Sequence, residues 1–223
     1  ATATFANVNT ILAAIRYSYT GDNPTDGGSD PSRVYTIKLN DGGQSNGPSN
    51  TGTTGVAKDS NLLTGTITLV NENDSPVGAN GSITVAEDAT NPAGVRVSTL
   101  ALFTDKDGDS FGGLAVSANL ADAATEGVWQ FSSDNGTTWV AICASSDAES
   151  VLIKADSFVR FVPVANFNGA SADSLSVRVV DSTYTGAYSD STASPVKLNT
   201  SASTGIEAYA AAATTLAVSV TAV

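Results

Sequence analysis

The sequence predicts an all-β protein of the sandwich type, and two features of the chain carry that prediction. Short runs that alternate apolar and polar residues, and that are rich in Val, Ile and Thr, recur along the whole sequence. Clusters of Gly, Asn, Asp, Ser and Pro, which favour turns, separate these runs. Such a succession of short strands and turns is typical of a β-sandwich.

Eight segments are predicted as strands from this alternation. They are residues 33–39, 64–70, 81–87, 127–132, 139–142, 158–164, 174–180 and 215–223. A helix of one or two turns is predicted within 7–17, and the Ala-rich stretch 208–213 is a second helix candidate. Residues 209–223 are the most membrane-like stretch, but they are too few to cross a bilayer as a helix, and their last part alternates like a strand.

The charge balance excludes several classes of function. The 223 residues include 22 acidic and 10 basic side chains, which give a net charge of −12. Nucleic acids and anionic membranes both require basic patches, so neither is an expected partner, and no direct membrane insertion is expected. A strongly acidic surface favours the binding of cations instead.

The scarcity of His and Cys narrows the possible chemistry. The chain has no His and a single Cys, Cys143, so zinc or copper sites and Ser–His or Cys–His nucleophiles are not expected. We therefore expect no enzymatic activity, and a glycosidase is disfavoured because no pair of catalytic carboxylates can be identified. Cys143 follows a strand-like run and is predicted to be a buried, unreactive side chain.

An internal repeat predicts how the chain is organised. Residues 1–75 are predicted to be the C-terminal part of one repeat that packs on a full β-sandwich repeat over 76–223, and the two could form one compact module. In each part a strand ends at an Asp, Asp41 or Asp181, and a long polar segment follows. Segments that long are uncommon in compact domains and are usually functional or disordered.

The sequence "DKDGDS" places three carboxylates, Asp105, Asp107 and Asp109, around a glycine that permits a tight turn. Alternate carboxylates around such a turn can converge on Ca²⁺, which prefers oxygen ligands. The motif resembles the start of an EF-hand loop but lacks the Glu at its twelfth position. The alternative is a solvated acidic turn.

Two further clusters are candidates for chemistry. Residues 21–30 offer Asp22 and Asp26 in a Gly/Pro-rich turn, either as calcium ligands or as a bare acidic loop. The sequence "SSDNGTTW" at 132–139 fits an Asp-box and is predicted to be a structural hairpin. Tyr184 and Tyr188 lie in the long polar segment after Asp181, and they either pack under it or contact a ligand.

The sequence "VNENDSP" together with "AEDA" resembles the calcium-binding linker of cadherin-like repeats. The resemblance extends through "LFTDKDGD" and "FVRFVPVANFNG" to the cadherin-like or VCBS-like repeats of giant bacterial RTX adhesins, over most of 76–180, with 5–76 like the end of another repeat. It implies that Asn73, Asp74 and Glu87 join the Asp105–Asp109 turn around several Ca²⁺ ions. Ordinary turn chemistry is the alternative for the Asn/Asp/Pro cluster.

The resemblance also implies an extracellular, cell-surface location and a chain that is part of a longer secreted protein with neighbouring adhesin domains. The two long loops make the chain more similar to the calcium-dependent peptide-binding modules of such adhesins, in which calcium helps to hold the carboxylate end of a peptide. We therefore expect a peptide or protein ligand on another cell. A purely structural extender repeat and, less favoured, a carbohydrate-binding module are the alternatives.

The predicted ligand site follows from the two long loops. Asp41 and Asp181 would each anchor a loop to a metal ion, and the loop after Asp41 combines a flexible backbone with oxygen donors. The predicted ligand-binding residues are Asp41, Gly43, Gln44, Ser45, Asn46, Tyr184 and Tyr188.

Overall fold

Strands make up nearly all the regular secondary structure of the protein, which confirms the all-β prediction. The computed structural model describes residues 5–21, 23–26, 29–39, 59–100, 102–143, 145–168 and 173–223. The chain divides into two compact units, Ala1–Asn71 and Glu72–Val223.

The first unit contains a helix and a two-stranded ribbon. Helix α1 spans Phe5–Ala14. It overlaps the first two turns of the segment 7–17, within which the sequence predicts a helix. The Arg16 side chain donates from Nη1 to the carbonyl oxygen of Ala13 at 2.6 Å, which satisfies one of the carbonyl groups left open at the helix end. Strands β1 (Ser32–Ile37) and β2 (Leu63–Thr68) pair antiparallel, as two of the alternating runs predict.

The second unit contains twelve strands in three sheets, counted over its described residues. They are β3 (Val77–Gly78), β4 (Gly81–Ala86), β5 (Val95–Arg96), β6 (Phe103–Thr104), β7 (Phe111–Asn119), β8 (Gly127–Ser132), β9 (Val140–Ala141), β10 (Ser150–Lys154), β11 (Phe158–Pro163), β12 (Leu175–Asp181), β13 (Lys197–Leu198) and β14 (Thr214–Thr221). The larger sheet has the order β13-β10-β7-β12-β14-β4, the smaller one has the order β5-β11-β8-β9, and β3 pairs with β6. All neighbours are antiparallel except β14 and β4, which run parallel.

One hydrophobic core joins the two larger sheets, as in a β-sandwich. Alternate residues of β14, such as Leu216 and Val218, point into it from the larger sheet. Trp129 and Phe161 enter it from the smaller sheet, and their rings meet edge to face with centroids 5.4 Å apart. Both aromatic side chains are fully buried, and an aromatic pair of this geometry contributes about 0.5–1.5 kcal/mol beyond the burial of its area.

The hairpin predicted at 132–139 is present between β8 and β9. The Asp134 Oδ1 atom accepts hydrogen bonds from the backbone N–H groups of Thr137 and Thr138 at 3.1 and 2.8 Å. The Trp139 indole closes the turn by donating to the carbonyl oxygen of Gly136 at 2.9 Å. The hydrogen bond from Thr138 is the main reason that the pKa of Asp134 falls to about 2.

Three strands of the larger sheet were not predicted, the two-residue β13 and the longer β7 and β10. Of the longer two, β7 comes first. The first has the sequence FGGLAVSAN, whose small residues give no clear alternation, and the second has a short continuous apolar run flanked by polar residues. Strand β7 nevertheless lies at the centre of the sheet between β10 and β12. A strand that is covered on both faces need not alternate apolar and polar residues. Its sequence therefore lacks the alternation from which strands are predicted.

Two predictions were wrong. Residues 208–213 form no helix, because Tyr209 bridges to Val180 and the Ala210 N–H donates to the Val179 carbonyl oxygen at 2.9 Å, as an irregular extension of the sheet. Cys143 is exposed rather than buried. The preceding Ile142 takes the inward position at 2% exposure, so the alternation of the chain directs Cys143 outward.

Within the described residues, no helix is long and apolar enough to span a membrane.

Candidate metal centre

The turn between β6 and β7 brings the three carboxylates of "DKDGDS" together. One oxygen from each of Asp105, Asp107 and Asp109 lies within 4.8 Å of the others. Gly108 adopts a φ of +80°, a conformation that costs glycine little and other residues more. The Asp105 Oδ1 atom accepts hydrogen bonds from the backbone N–H groups of Asp107 and Asp109 at 2.8 and 3.1 Å, which fixes the shape of the turn.

A fourth carboxylate, Asp181, lies beside this turn. It is the last residue of β12 and pairs with Phe111, the first residue of β7, immediately after the turn. Asp181 is fully buried. Its Oδ1 atom accepts hydrogen bonds from the N–H and hydroxyl groups of Thr183 at 2.8 and 2.5 Å.

Two buried carboxylate oxygens of this cluster lack a hydrogen-bond donor among the described residues, Asp105 Oδ2 and Asp181 Oδ2. Burial raises the pKa of Asp105, two backbone hydrogen bonds oppose that rise, and the negative charges of Asp109 and Asp181 add to it. Buried acceptors without donors and neighbouring like charges are both unfavourable. A cation that contacts these oxygens would relieve both costs, and a set made only of oxygens suits Ca²⁺.

The "NENDSP" segment is attached to this turn. The Asp107 Oδ2 atom accepts a hydrogen bond from the Asp74 N–H at 2.6 Å, and the Lys106 ammonium lies 3.8 Å from the Asp74 carboxylate. The Asn73 side-chain amide donates to the carbonyl oxygens of Ile206 and Glu207 at 3.2 and 3.3 Å. Asn73 and Asp74 therefore connect the segment to its surroundings through hydrogen bonds, and Asp74 also lies next to the carboxylate cluster.

Sequence reasoning missed Ser182, which contacts the group of carboxylates, and Glu207, whose backbone carbonyl oxygen accepts from Asn73. The Glu207 carboxylate accepts hydrogen bonds from the Ser203 hydroxyl at 2.7 Å and from the Thr204 N–H at 2.9 Å, and these hydrogen bonds lower its pKa. The Ser182 hydroxyl donates to Asp109 Oδ1 at 3.2 Å. Neither contact leaves a local sequence signal, although the position of Ser182 directly after the strand-ending Asp181 is a weak one.

Other predicted ligands lie elsewhere or outside the described residues. Glu87 follows the C-terminal end of β4 and accepts hydrogen bonds from the Asn168 side chain and from the Val223 N–H. Six extended residues of β4, about 20 Å of chain, separate it from the end where Gly78 pairs with β6. Asp26 belongs to the first unit, is exposed, and accepts a hydrogen bond from the Ser29 hydroxyl at 3.3 Å. The predicted residues that lie outside the described ones are Asp22, Asp41, Gly43, Gln44, Ser45 and Asn46.

The two tyrosines of the segment after Asp181 pack against each other and against a second, smaller apolar cluster. Tyr184 and Tyr188 meet edge to face with centroids 5.3 Å apart, on the side of Ala115, Leu152 and Val180. Gly112 gives them space, because a Cβ atom there would lie 2.8 Å from the Tyr188 hydroxyl oxygen. Burial raises the pKa of Tyr188 to about 12.

Comparison of the chain with protein-family models, curated proteins and solved structures finds no match. The class of the site is therefore defined by its own residues. It is a group of three carboxylates in the turn before β7, beside which lies the buried carboxylate of Asp181 on the adjacent strand end, and Asp105 Oδ2 and Asp181 Oδ2 lack hydrogen-bond donors among the described residues. Such a group of carboxylates can bind a hard divalent cation.

Proposed function

We propose that the chain is a calcium-dependent ligand-binding module of a secreted bacterial adhesin, and that it binds a peptide on host or neighbouring cells. The observation that carries the proposal is the group of Asp105, Asp107 and Asp109 with the buried Asp181 beside it, in which Asp105 Oδ2 and Asp181 Oδ2 lack donors among the described residues. The resemblance to cadherin-like RTX adhesin repeats and the net charge of −12 support it.

Calcium is preferred to magnesium as the cation. Ca²⁺ accepts six to eight oxygens in flexible geometry, whereas Mg²⁺ demands a near-ideal octahedron and keeps several waters. Aspartates on a glycine turn and on a strand end form an irregular set, which favours the less demanding ion. A ligand that binds only the native state adds stability by mass action. Calcium would therefore stabilise the fold, as disulfides do in other secreted proteins.

Ligand capture would use a cation that retains an open coordination position. A carboxylate of a peptide, or paired hydroxyls of a glycan, can complete the coordination of such an ion. The loop that starts at Asp41 remains the proposed place for this contact, and its residues lie outside the described ones. Tyr184 and Tyr188 remain proposed ligand contacts through the parts of their rings that stay accessible.

A structural extender repeat is the second candidate function, and the packing of the segment after Asp181 favours it. Tyr184 and Tyr188 contact the smaller apolar cluster, and the Ser189 N–H donates to the Leu152 carbonyl oxygen at 3.0 Å. A segment that is held in this way needs no partner to account for its aromatic residues. An extender would bind calcium and nothing else.

Two measurements test the proposal in sequence. Calorimetry and thermal unfolding of the metal-free protein should show saturable Ca²⁺ binding and a higher melting temperature with Ca²⁺ than with Mg²⁺. A peptide array with free and amidated C-termini should then show binding in Ca²⁺ that EDTA and amidation both abolish. If neither chelator nor Ca²⁺ changes the melting temperature, the proposed calcium site is wrong. Calcium binding with a blank peptide array would favour the extender, and signals on a glycan array alone would favour the carbohydrate-binding alternative.

A further inference from the structure

The loop that leads into β1 contains an Asp–Pro peptide bond, between Asp30 and Pro31. The other prolines of the chain follow Asn, Gly, Ser or Val, so this is the one bond of its kind in the sequence. An Asp–Pro bond is open to attack from within, because the Asp carboxylate can close a five-membered ring on the carbonyl carbon of its own residue. The bond is also a tertiary amide, whose nitrogen leaves as a secondary amine. The surroundings of Asp30 therefore determine how readily the bond breaks.

The guanidinium of Arg33 contacts both groups that such a reaction would join. Its Nη1 atom donates a hydrogen bond to the Asp30 carbonyl oxygen at 3.0 Å and lies 2.7 Å from the Asp30 Oδ2 atom. Its Nη2 atom donates to the Pro24 carbonyl oxygen at 2.8 Å, which keeps the guanidinium in place. The Asp30 Oδ1 atom accepts no hydrogen bond from any residue that the structure describes. One carboxylate oxygen is thus held by Arg33, and the other is left for the attack.

The backbone on each side of the bond is fixed as well. The Asp30 N–H donates to the Thr25 carbonyl oxygen at 2.8 Å, and the Pro31 carbonyl oxygen accepts a hydrogen bond from the Leu69 N–H at 2.8 Å. Thr25 is buried, and Leu69 directly follows β2. These contacts restrict the bond to few conformations, whereas a short free peptide samples many in which the reacting groups lie apart.

We propose that the protein cleaves its own Asp30–Pro31 bond in mildly acidic solution. The Asp30 Oδ1 atom attacks the carbonyl carbon of Asp30, and the carbonyl oxygen takes the negative charge. The bond to the Pro31 nitrogen then breaks, and this nitrogen takes a proton from the solvent and becomes the amino terminus of residues 31–223. Water opens the cyclic anhydride left on Asp30, which restores the side-chain carboxylate and gives a new carboxyl terminus. The whole reaction consumes one water molecule.

Arg33 acts on the charge that develops during the attack. Its hydrogen bond to the carbonyl oxygen strengthens as that oxygen becomes negative, in the manner of an oxyanion hole. The side chains of Arg33 and Asp30 are 31% and 61% exposed, so the solvent can deliver the proton and the water that the reaction needs. An ion pair this exposed contributes little to stability, so its loss should leave the fold intact.

The test is mass spectrometry of the whole protein after incubation in mildly acidic and in neutral buffer. We expect fragments 1–30 and 31–223 to accumulate, and to do so faster in the acidic buffer, because the leaving nitrogen needs a proton. A synthetic peptide of residues 29–34 is the unstructured reference, since it contains the same Asp, Pro and Arg. The protein should be cleaved at least about tenfold faster than this peptide. An equal or slower rate in the protein would overturn the proposal.

Two substitutions identify the reacting groups. Arg33→Ala removes the donor to the carbonyl oxygen and should slow cleavage at least about tenfold, less than the factor of about 10²–10³ for a donor in a buried oxyanion hole. Asp30→Glu keeps the charge but lengthens the side chain, so that the attack requires a larger ring and cleavage should fall to the rate of the peptide. The NMR signal of the Leu69 amide shows whether its contact with Pro31 survives in each variant. Unchanged cleavage in either variant would refute the assignment.

Arg16→Ala is the matched control. The Nη1 atoms of Arg16 and Arg33 each donate to the backbone carbonyl groups one and three positions earlier in the chain. For Arg16, neither carbonyl belongs to an Asp–Pro bond, so cleavage should be unchanged. Equally slow cleavage in Arg16→Ala and Arg33→Ala would mean that a general loss of stability, and not the contact with Asp30, explains the effect.

Isotope-labelled water and EDTA complete the test. Opening of the anhydride places labelled oxygen in the Asp30 side-chain carboxylate as well as at the new carboxyl terminus, whereas direct attack of water on the peptide bond labels the terminus only. Label at the terminus alone would therefore overturn the role of the side chain. Cleavage should be equal with and without Ca²⁺, because the reaction uses no metal and shares no residue with the Asp105–Asp109 turn. Cleavage that requires Ca²⁺ would contradict this mechanism.

Discussion

Replacing Asp181 by Asn tests whether the carboxylate cluster is built around a cation. Asp181 is fully buried, and one of its oxygens has no donor among the described residues. The substitution keeps the shape of the side chain and the Oδ1 acceptor that binds Thr183, but it removes the negative charge. The metal-free protein should therefore become more stable, whereas the protein in Ca²⁺ should lose much of its gain.

The magnitude follows from the cost of burying a charge without a partner. Removal of a buried acceptor that lacks a donor, beside the negative charge of Asp105, should raise the free energy of unfolding of the metal-free protein by about 1–3 kcal/mol. Wild-type protein at 100 times its Kd for Ca²⁺ gains about 2.7 kcal/mol, and a tenfold weaker variant gains about 1.4 kcal/mol at the same concentration. In a domain of about 150 residues, 1 kcal/mol shifts the melting temperature by about 2–4 °C. Both effects are large enough to be measured by thermal unfolding.

Asp190→Asn is the matched control for this experiment. Asp190 has the same local pattern as Asp181, since each is followed by Ser and Thr and accepts hydrogen bonds from the N–H and hydroxyl groups of that Thr. Asp190 is exposed. Its substitution should leave the stability gained from calcium unchanged, and it should lower the melting temperature of the metal-free protein only slightly, through weaker hydrogen bonds in the turn. If Asp181→Asn destabilises the metal-free protein and retains the full calcium gain, the buried oxygen does not serve a cation.

Two further predictions concern the scaffold. The pKa of Asp134 is held at about 2, mainly by the Thr138 N–H, so its stabilising effect is complete above the ordinary value of 3.8 and is lost as the pH falls through 2. The chemical shift of the Thr138 amide should follow that titration, and Asp134→Asn should abolish it. In Gly112→Ala, the new Cβ would lie 2.5 Å from the Asp181 carbonyl oxygen, so we expect a loss of about 1–3 kcal/mol in denaturant unfolding. An unchanged midpoint would mean that the two strands separate easily.

Local patterns in the sequence predicted the elements that have one face toward the core. The alternating run of β14 and the Asp-box turn before Trp139 are examples, because burial on one face and turn chemistry both leave a short-range signal. Strand β7 left none, since the fit of Gly112 against Tyr188 depends on residues that are far apart in sequence. The helix prediction at 208–213 rests on the high intrinsic helix propensity of Ala. In the structure, pairing with β12 outweighs that propensity.

For the candidate metal centre, local sequence patterns predict the turn but not the burial of the site. The three aspartates of "DKDGDS" converge as their spacing predicts. Asp181 could be proposed as a ligand from its position after a strand, yet its nearness to the turn results from the pairing of β7 with β12, which no local pattern shows. The absence of donors at Asp105 Oδ2 and Asp181 Oδ2 is likewise a property of the packed structure.

The number of oxygens in the cluster bears on how a ligand could be captured. Asp105 uses one oxygen for the N–H groups of its own turn, and Asp107 uses one for the Asp74 N–H, so these atoms already accept strong hydrogen bonds. The two oxygens that lack donors, together with one from Asp109, supply fewer than the six to eight that Ca²⁺ prefers. Backbone carbonyls and water would have to complete the coordination. A coordination sphere completed by water can exchange that water for the oxygen of a ligand, which makes a partly exposed calcium centre suited to binding as well as to stability.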